Sequence, residues 1–369
     1  MHTDDNWRIP IARDLVEELV FLGSGSLAQR APRNDRKGIL MATSGPLNLI
    51  TDVPGIVVGQ AEDHTAITGT TVIITETPAV AAVDVRGGAP GSRETELLGQ
   101  ATLVDRVDAI VLSGGSGFGL DAGSGVMDWL AAQGRGFAVG KARVPIVPGA
   151  ILFDLNFPGR QHWTGEPPHR RLGRKAAARA GKDFALGNHG AGLGAKAGRL
   201  KGGLGSASLR LGDGTTVGAI VAVNCCGSAV RPDCGRFWAT ELALPGEIPP
   251  QPAIPDTPLD LDDFSACGDG LVGANTTIAV VATDAPLDKN GCQRFAIMAQ
   301  DGLTRAIRPA HTPFDGDTVF ALATGQGAIA DPARLTQLGN AAADCLSRAI
   351  MRALVAAEPL GGYPSWRQL

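Results

Sequence analysis

Glycine limits the folding options of this chain more than any other feature. It supplies 50 of the 369 residues, roughly twice the ~7% usual in globular proteins. No G-X-Y period runs through the sequence, so a collagen-like helix is excluded. The glycines come instead as GG and GxG pairs beside apolar, β-branched runs. That pattern predicts strands joined by tight turns, with backbone brought close to other backbone.

Other global properties narrow the class. Hydrophobic residues make up 44% and charged residues 19%, and the formal charge is −4. This balance excludes a disordered chain, and it lacks the basic excess a nucleic-acid binder needs. No apolar run reaches the ~18 residues of a membrane span. The start, MHTDDNWRIPIARDLVEELVF, has no signal-peptide pattern, so a cytoplasmic location is expected. Cys225, Cys226, Cys234, Cys267, Cys292 and Cys345 show no CxxC spacing and read as reduced, mostly buried thiols.

Along the chain, residues 1–45 read as a flexible arm or over-extended start, with a short amphipathic helix from Ile9 to Leu22. Residues 46–369 read as one domain. Within it LITDVPGIVVG, TGTTVIIT, AVAAVDV, AIVLSGG, TTVGAIVAVN, NTTIAVVATDA and TVFALATG are strand-like. Helical spacing appears over 94–107 and 121–133. Asp331 followed by Pro332 is a strong helix start, predicting a helix to about Ala357. The Pro-rich, acidic stretch 241–263 reads as a long loop.

Four patterns are candidates for chemistry. The loop Gly114–Gly119 lies between a strand and a helix and matches a relaxed dinucleotide fingerprint, but no acidic residue follows between Trp129 and Phe153. It reads as a tight turn. His64, His162, His169, His189 and His311 are scattered without metal-ligand spacing, and His162 and His169 read as solvated loop residues; no metal is expected. A Ser-His-Asp hydrolase lacks its G-x-S-x-G elbow. Last, Asn275-Thr276-Thr277 opens a strand just after the Pro-rich loop. A Thr hydroxyl is a weak nucleophile without a base. Cutting the chain before Thr276 would free an α-amine of pKa roughly 7.7–8 to assist it. Alone, the triplet reads equally as a buried strand that opens on small polar residues. The downstream segment HTPFDGDTVFALATG adds Asp315 and Asp317, which share a face if both enter the strand. Two close carboxylates raise one pKa, which suits one to hold a proton and the other to orient the nucleophile.

Together, NTTIAVVATDAP and HTPFDGDTVFALATG resemble the DmpA-like, self-processing aminopeptidases of peptidase family S58, and in these motifs the nylon-oligomer (6-aminohexanoate-oligomer) hydrolase branch in particular. The similarity runs over 47–357 through DVRGGAPGSRETELL, LSGGSGFGLDAGSG and GAGLGAKAGRLKGGLGSAS. The resemblance implies an α/β fold of the four-layer αββα, N-terminal-nucleophile-hydrolase type. It implies self-cleavage between Asn275 and Thr276 into an α chain, 1–275, and a β chain, 276–369. It further implies cofactor-free, metal-free amide hydrolysis on short peptides or ω-amino-acid oligomers, and homo-oligomers of αβ heterodimers, often tetramers. Thr276 falls on the nucleophile, Asp315 and Asp317 on the acidic pair, and Asn224 on an amide able to donate to the oxyanion. Lys201 is the preferred match to the family's cation, with Arg199 the alternative. Phe153 stands where relatives carry a Tyr near the substrate. Strict aminopeptidase action remains open at this point. A nucleotide-binding oxidoreductase and an uncut, non-catalytic scaffold are the less favoured readings.

Overall fold

The computed structural model describes residues 42–256, 258 and 275–369. The Ile9–Leu22 segment, Cys267 and residues 257 and 259–263 of the Pro-rich stretch lie outside the described residues. The body already includes Thr43, which exchanges backbone hydrogen bonds with Arg210.

In chain order the strands and helices are β1 (Ile56–Asp63), β2 (Thr68–Val85), β3 (Ser92–Arg93), β4 (Arg106–Ser113), α1 (Ala122–Ala131), β5 (Phe137–Val139), β6 (Ala142–Val144), β7 (Gly149–Ile151), α2 (His169–Ala178), β8 (Lys196–Ala197), β9 (Leu200–Lys201), β10 (Gly203–Arg210), β11 (Thr216–Asn224), β12 (Thr276–Thr283), α3 (Lys289–Ala306), β13 (Thr318–Ala323) and α4 (Pro332–Ala356). Nine strands hydrogen-bond in the order β10-β11-β12-β13-β2-β4-β7-β3, with β1 also on β2.

The 18-residue β2 organises the layers. TGTTVIIT and AVAAVDV, expected as two strands, are its two halves. Around Pro78, which has no N–H to give a ladder, residues 76–78 turn outward and the β2–β4 register shifts between Ile74 and Ala79. The first half pairs with β1 and the second with β13.

Strand alternation then sends apolar side chains to two sides. Ile278 and Val280 join Ile220, Ile73, Ile110 and Leu112 in an inner cluster. Ala279 and Val281 turn the other way, onto a cluster with Phe295 and Leu303 of α3 and Leu346 and Ile350 of α4. A third cluster seats Val126 of α1 and Leu172 of α2 on Val72, Ile74 and Val111. Three apolar seams between four layers make the expected αββα sandwich.

Several elements differ from the sequence expectation. Residues 94–107 form no long helix. One 3-10 turn, Glu96–Leu98, ends where the Thr102 hydroxyl takes the carbonyls of Leu97 and Gly99, and Glu94 sits at φ +58°. Helices α2 and α3 were not expected from sequence. His169, read as a solvated loop residue, is the fully buried first residue of α2. The final helix does start as expected: the Asp331 carboxylate accepts from Arg334 N at 2.8 Å, with Pro332 in the first turn.

Candidate active site

β12 begins at the place the sequence singled out. Thr276 pairs with Asn224, the last residue of β11. By parity both face the inner apolar cluster, with Ile278 and Ile220. Thr276 is 2% exposed. Its hydroxyl donates to the carbonyl oxygen of Asn275. The same oxygen accepts Gly316 N–H at 3.0 Å. The carbonyl of the expected cut is thus gripped from two sides, and the backbone donor is placed where an oxyanion would form.

The acidic pair does not enter the strand, as the same-face expectation required. β13 starts at Thr318, and Asp315-Gly316-Asp317 forms the loop before it, with Asp315 bridged to Asn275. This loop must pass very close to other backbone. Gly316 has no side chain because a Cβ there would stand 2.8 Å from the Thr276 hydroxyl oxygen. The RGG segment after β2 clamps the other side. Gly87 N–H donates to Asp317 O, Gly88 N–H to Thr312 O and Ala89 N–H to Asp315 O. A Cβ on Gly87 would overlap the backbone of both Asp315 and Asp317. Here the glycine excess has a direct structural use.

Both carboxyls are 1% exposed. Asp315 accepts Cys226 N–H at 3.0 Å on one oxygen, and Thr312 N–H at 3.1 Å and the Thr312 hydroxyl at 2.5 Å on the other. Asp317 accepts Thr277 N–H at 2.8 Å on one oxygen, and His311 N–H at 3.0 Å with ring Nδ1 at 2.9 Å on the other. Burial, and then the charge of Asp317, push the Asp315 pKa upward.

Asn224 accepts Lys196 N–H at 3.0 Å and donates to Phe153 O at 3.3 Å, tying the start of β12 to a second polar centre. Phe153 lines a cavity of about 50 Å³ with Asp154, Asn156, Phe157, Gly194, Lys196 and Tyr363. Lys201 is fully buried nearby, its Nζ donating to Gly192 O at 2.9 Å and Gly202 O at 2.8 Å and lying 5.8 Å from the Phe157 ring centre. Burial brings its pKa down to about 7, against the opposing charge of Asp154. Arg199 is exposed on the β8–β9 turn. Of the two basic side chains, only Lys201 is inside.

Sequence reasoning missed Asp154, Thr68 and His169. Asp154 accepts the Thr68 hydroxyl at 2.6 Å and Gly115 N–H at 2.9 Å, and burial lifts its pKa to about 6. A Cβ on Gly114 would strike Asp154, and one on Gly115 would strike the His169 ring. The Gly114–Gly119 loop therefore closes over an acid and an imidazole of its own chain, which explains the glycines of the apparent nucleotide fingerprint. His311 and Gly316 were also missed, although both lie inside the HTPFDGD segment. The signal was present in the residues before and between the acids.

The profile of peptidase family S58 matches residues 48–366. An uncharacterized aminopeptidase of Mycobacterium tuberculosis is 46% identical over 347 residues, covering 88% of this chain and 98% of the relative. A 6-aminohexanoate-oligomer endohydrolase of Paenarthrobacter ureafaciens is 32% identical over 307 residues, covering 80% of each. Among solved structures, the L-aminopeptidase D-Ala-esterase/amidase of Ochrobactrum anthropi, a variant of the Ntn hydrolase fold, superposes with a TM-score of 0.64 at 22% identity, covering 88% of this chain and 90% of that one.

Proposed function

The chain belongs to peptidase family S58 and is a hydrolase of amide or peptide bonds, and from that premise we propose that it is a self-processing amidase whose nucleophile is Thr276. The observation that carries this reading is the convergence of the Thr276 hydroxyl and Gly316 N–H on the Asn275 carbonyl, beside two buried carboxyls.

In the first step Thr276 Oγ1 attacks the Asn275 carbonyl carbon. The C–N bond to Thr276 breaks, and the hydroxyl proton is relayed to the departing nitrogen. Asp315, the carboxyl with the raised pKa, carries that proton. Water then hydrolyses the ester: its oxygen stays on Asn275 as a carboxylate, and Thr276 regains its hydroxyl. The products are 1–275 and 276–369.

The freed α-amine then serves as the base for Thr276 Oγ1 on an external amide, through an acyl-enzyme that water releases. Gly316 N–H and the Asn224 amide are the oxyanion donors. Losing one such donor typically costs about 2.7–4 kcal/mol of transition-state stabilisation. Lys201 positions the wall shared with the Phe153 cavity. Short peptides or ω-amino-acid oligomers are the substrate class, consistent with the names of the relatives. Phe153 offers no phenol hydroxyl to that substrate.

Denaturing mass spectrometry of the purified protein tests the processing. Two chains are expected, the second beginning at Thr276; a single full-length chain in a preparation that hydrolyses amides would overturn it. Comparing an N-acetylated oligomer with the free one then separates endo-action from strict aminopeptidase action.

A further inference from the structure

Each carboxyl of the site has three hydrogen-bond contacts. Two are backbone N–H groups, of Cys226 and Thr312 at Asp315 and of Thr277 and His311 at Asp317, and the third contact differs in kind. At Asp315 it is the Thr312 hydroxyl, 2.5 Å from Oδ2, which can turn and accept as well as donate. At Asp317 it is His311 Nδ1, at 2.9 Å from the same oxygen that takes the His311 backbone N–H. His311 is held at φ +56°, which is uncommon for a residue with a side chain, and that turn aims its backbone and ring at one carboxyl oxygen. Its Nε2 is buried with no partner among the described residues. A neutral imidazole with its proton on Nδ1 leaves Nε2 as a bare acceptor, which needs no proton acceptor around it.

We propose that His311 is the positioning residue of the acidic pair: its backbone N–H and ring Nδ1–H hold Asp317 as a carboxylate anchored on Thr277, and Asp315 is left as the carrier of the mobile proton. This deepens the reading of Thr276 as nucleophile and rests on it. Asp317 grips the amide one residue beyond the nucleophile. Its charge state therefore sets both the placement of Thr276 and the electrostatic push on Asp315. Among the described residues, the other ionisable or charged groups around Asp317 include Asp315 on its own loop, Cys225 beyond β11, whose thiol burial keeps well up the scale, and Arg86 beyond β2, whose guanidinium is turned to Asp84 at 2.7 Å.

Three forms of the full chain test the proposal: the parent, His311→Asn and His311→Ala. Asn retains a side-chain N–H near the Nδ1 position. His311→Ala is expected to slow self-cleavage on the order of 10- to 100-fold, the loss typical of one hydrogen bond to a charged group. His311→Asn should restore most of the rate. An alanine variant that cuts at the parent rate overturns the proposal, and so does an asparagine variant as slow as alanine. A second measurement is independent of cleavage. In uncut Thr276→Ala protein carrying ¹⁵N-histidine, the His311 Nδ1 resonance is expected to show a bound proton; an unprotonated Nδ1 overturns the assignment. If the parent itself is never cut, the nucleophile reading fails, and the tautomer still decides the role of His311.

Discussion

Arg348 and the Asp315–Asp317 pair are both charged groups sealed from water, and their surroundings differ in kind. Arg348, on α4, spends every guanidinium nitrogen. Nε and Nη2 each meet a Glu247 oxygen at 2.7 Å, Nη1 donates to Ser208 O at 2.9 Å, and Nη2 also reaches Asn48 Oδ1 at 2.9 Å. Glu247 in turn accepts Asn48 Nδ2 at 2.8 Å and Leu244 N–H at 2.9 Å. Burial opposes the Glu247 charge, but Arg348 outweighs it and holds the pKa below its ordinary value. At the acidic pair two like charges share one loop, no cation is bonded to either carboxyl in the described contacts, and the neighbouring Thr277 hydroxyl and His311 Nε2 are buried without a partner among the described residues. Saturated pairing suits a fixed joint. Unequal, incomplete pairing suits groups that must change protonation.

The largest expected effect is at Thr276. Thr276→Ala should leave one uncut chain and abolish amide hydrolysis, with the fold intact; residual hydrolysis above background would move the nucleophile elsewhere. Next is Asp315→Asn, expected to slow self-cleavage by ~10²–10⁴, the usual worth of a positioned acid or base. Its melting temperature should change little, because relief of the repulsion between two buried carboxylates is offset where the new amide nitrogen faces a backbone N–H. The matching change in the other cluster should do the reverse. Glu247→Gln is expected to cost ~3–5 kcal/mol of stability by stranding Arg348, with self-cleavage unchanged wherever the protein stays folded. If Asp315→Asn melts the protein while Glu247→Gln stops cleavage, the contrast between the two clusters is wrong.

The contrast also explains what was legible in the sequence. Strands β11, β12 and β13 and helix α4 announce themselves by apolar runs and by the Asp331-Pro332 start, and they carry Asn224, Thr276 and the loop of Asp315 and Asp317. The residues of the motif therefore lie together at one end of these strands. Alternation put the acids on a strand they do not enter, because the tight fit of Gly316 against Thr276 is a long-range contact with no local signature. Helix α2 was hidden by its composition: HRRLGRKAAA is mostly polar, and only Leu172, Gly173, Ala176, Ala177 and His169 are buried. Asp154 and His169 were invisible because what gives them meaning is the Gly114–Gly115 backbone pressed on them across the fold.

Lys201 gives the smallest and most discriminating test, because it separates the chemistry of a buried lysine from that of a buried arginine. A guanidinium is a fixed charge, and Arg348 is held in the interior by its paired Glu247. Among the described residues Lys201 donates to the carbonyls of Gly192 and Gly202, with no carboxylate bonded to it, and burial brings its pKa from 10.5 to about 7. The sign follows from proton counting. Between about 7 and the ordinary lysine value the unfolded chain holds a proton that the folded chain has released. Stability linked to this group therefore rises with pH across that window, and below it the buried charge imposes its full cost. Lys201→Met, which keeps the length without the charge, should flatten that rise and gain most on the parent below pH ~7, on the order of a few kcal/mol at most. Chemical denaturation of the two proteins at several pH values reads this directly. A parent whose stability falls through that window, or a Met variant that keeps the same slope, would mean Lys201 stays charged when folded, and the two buried cations would then be held by the same means.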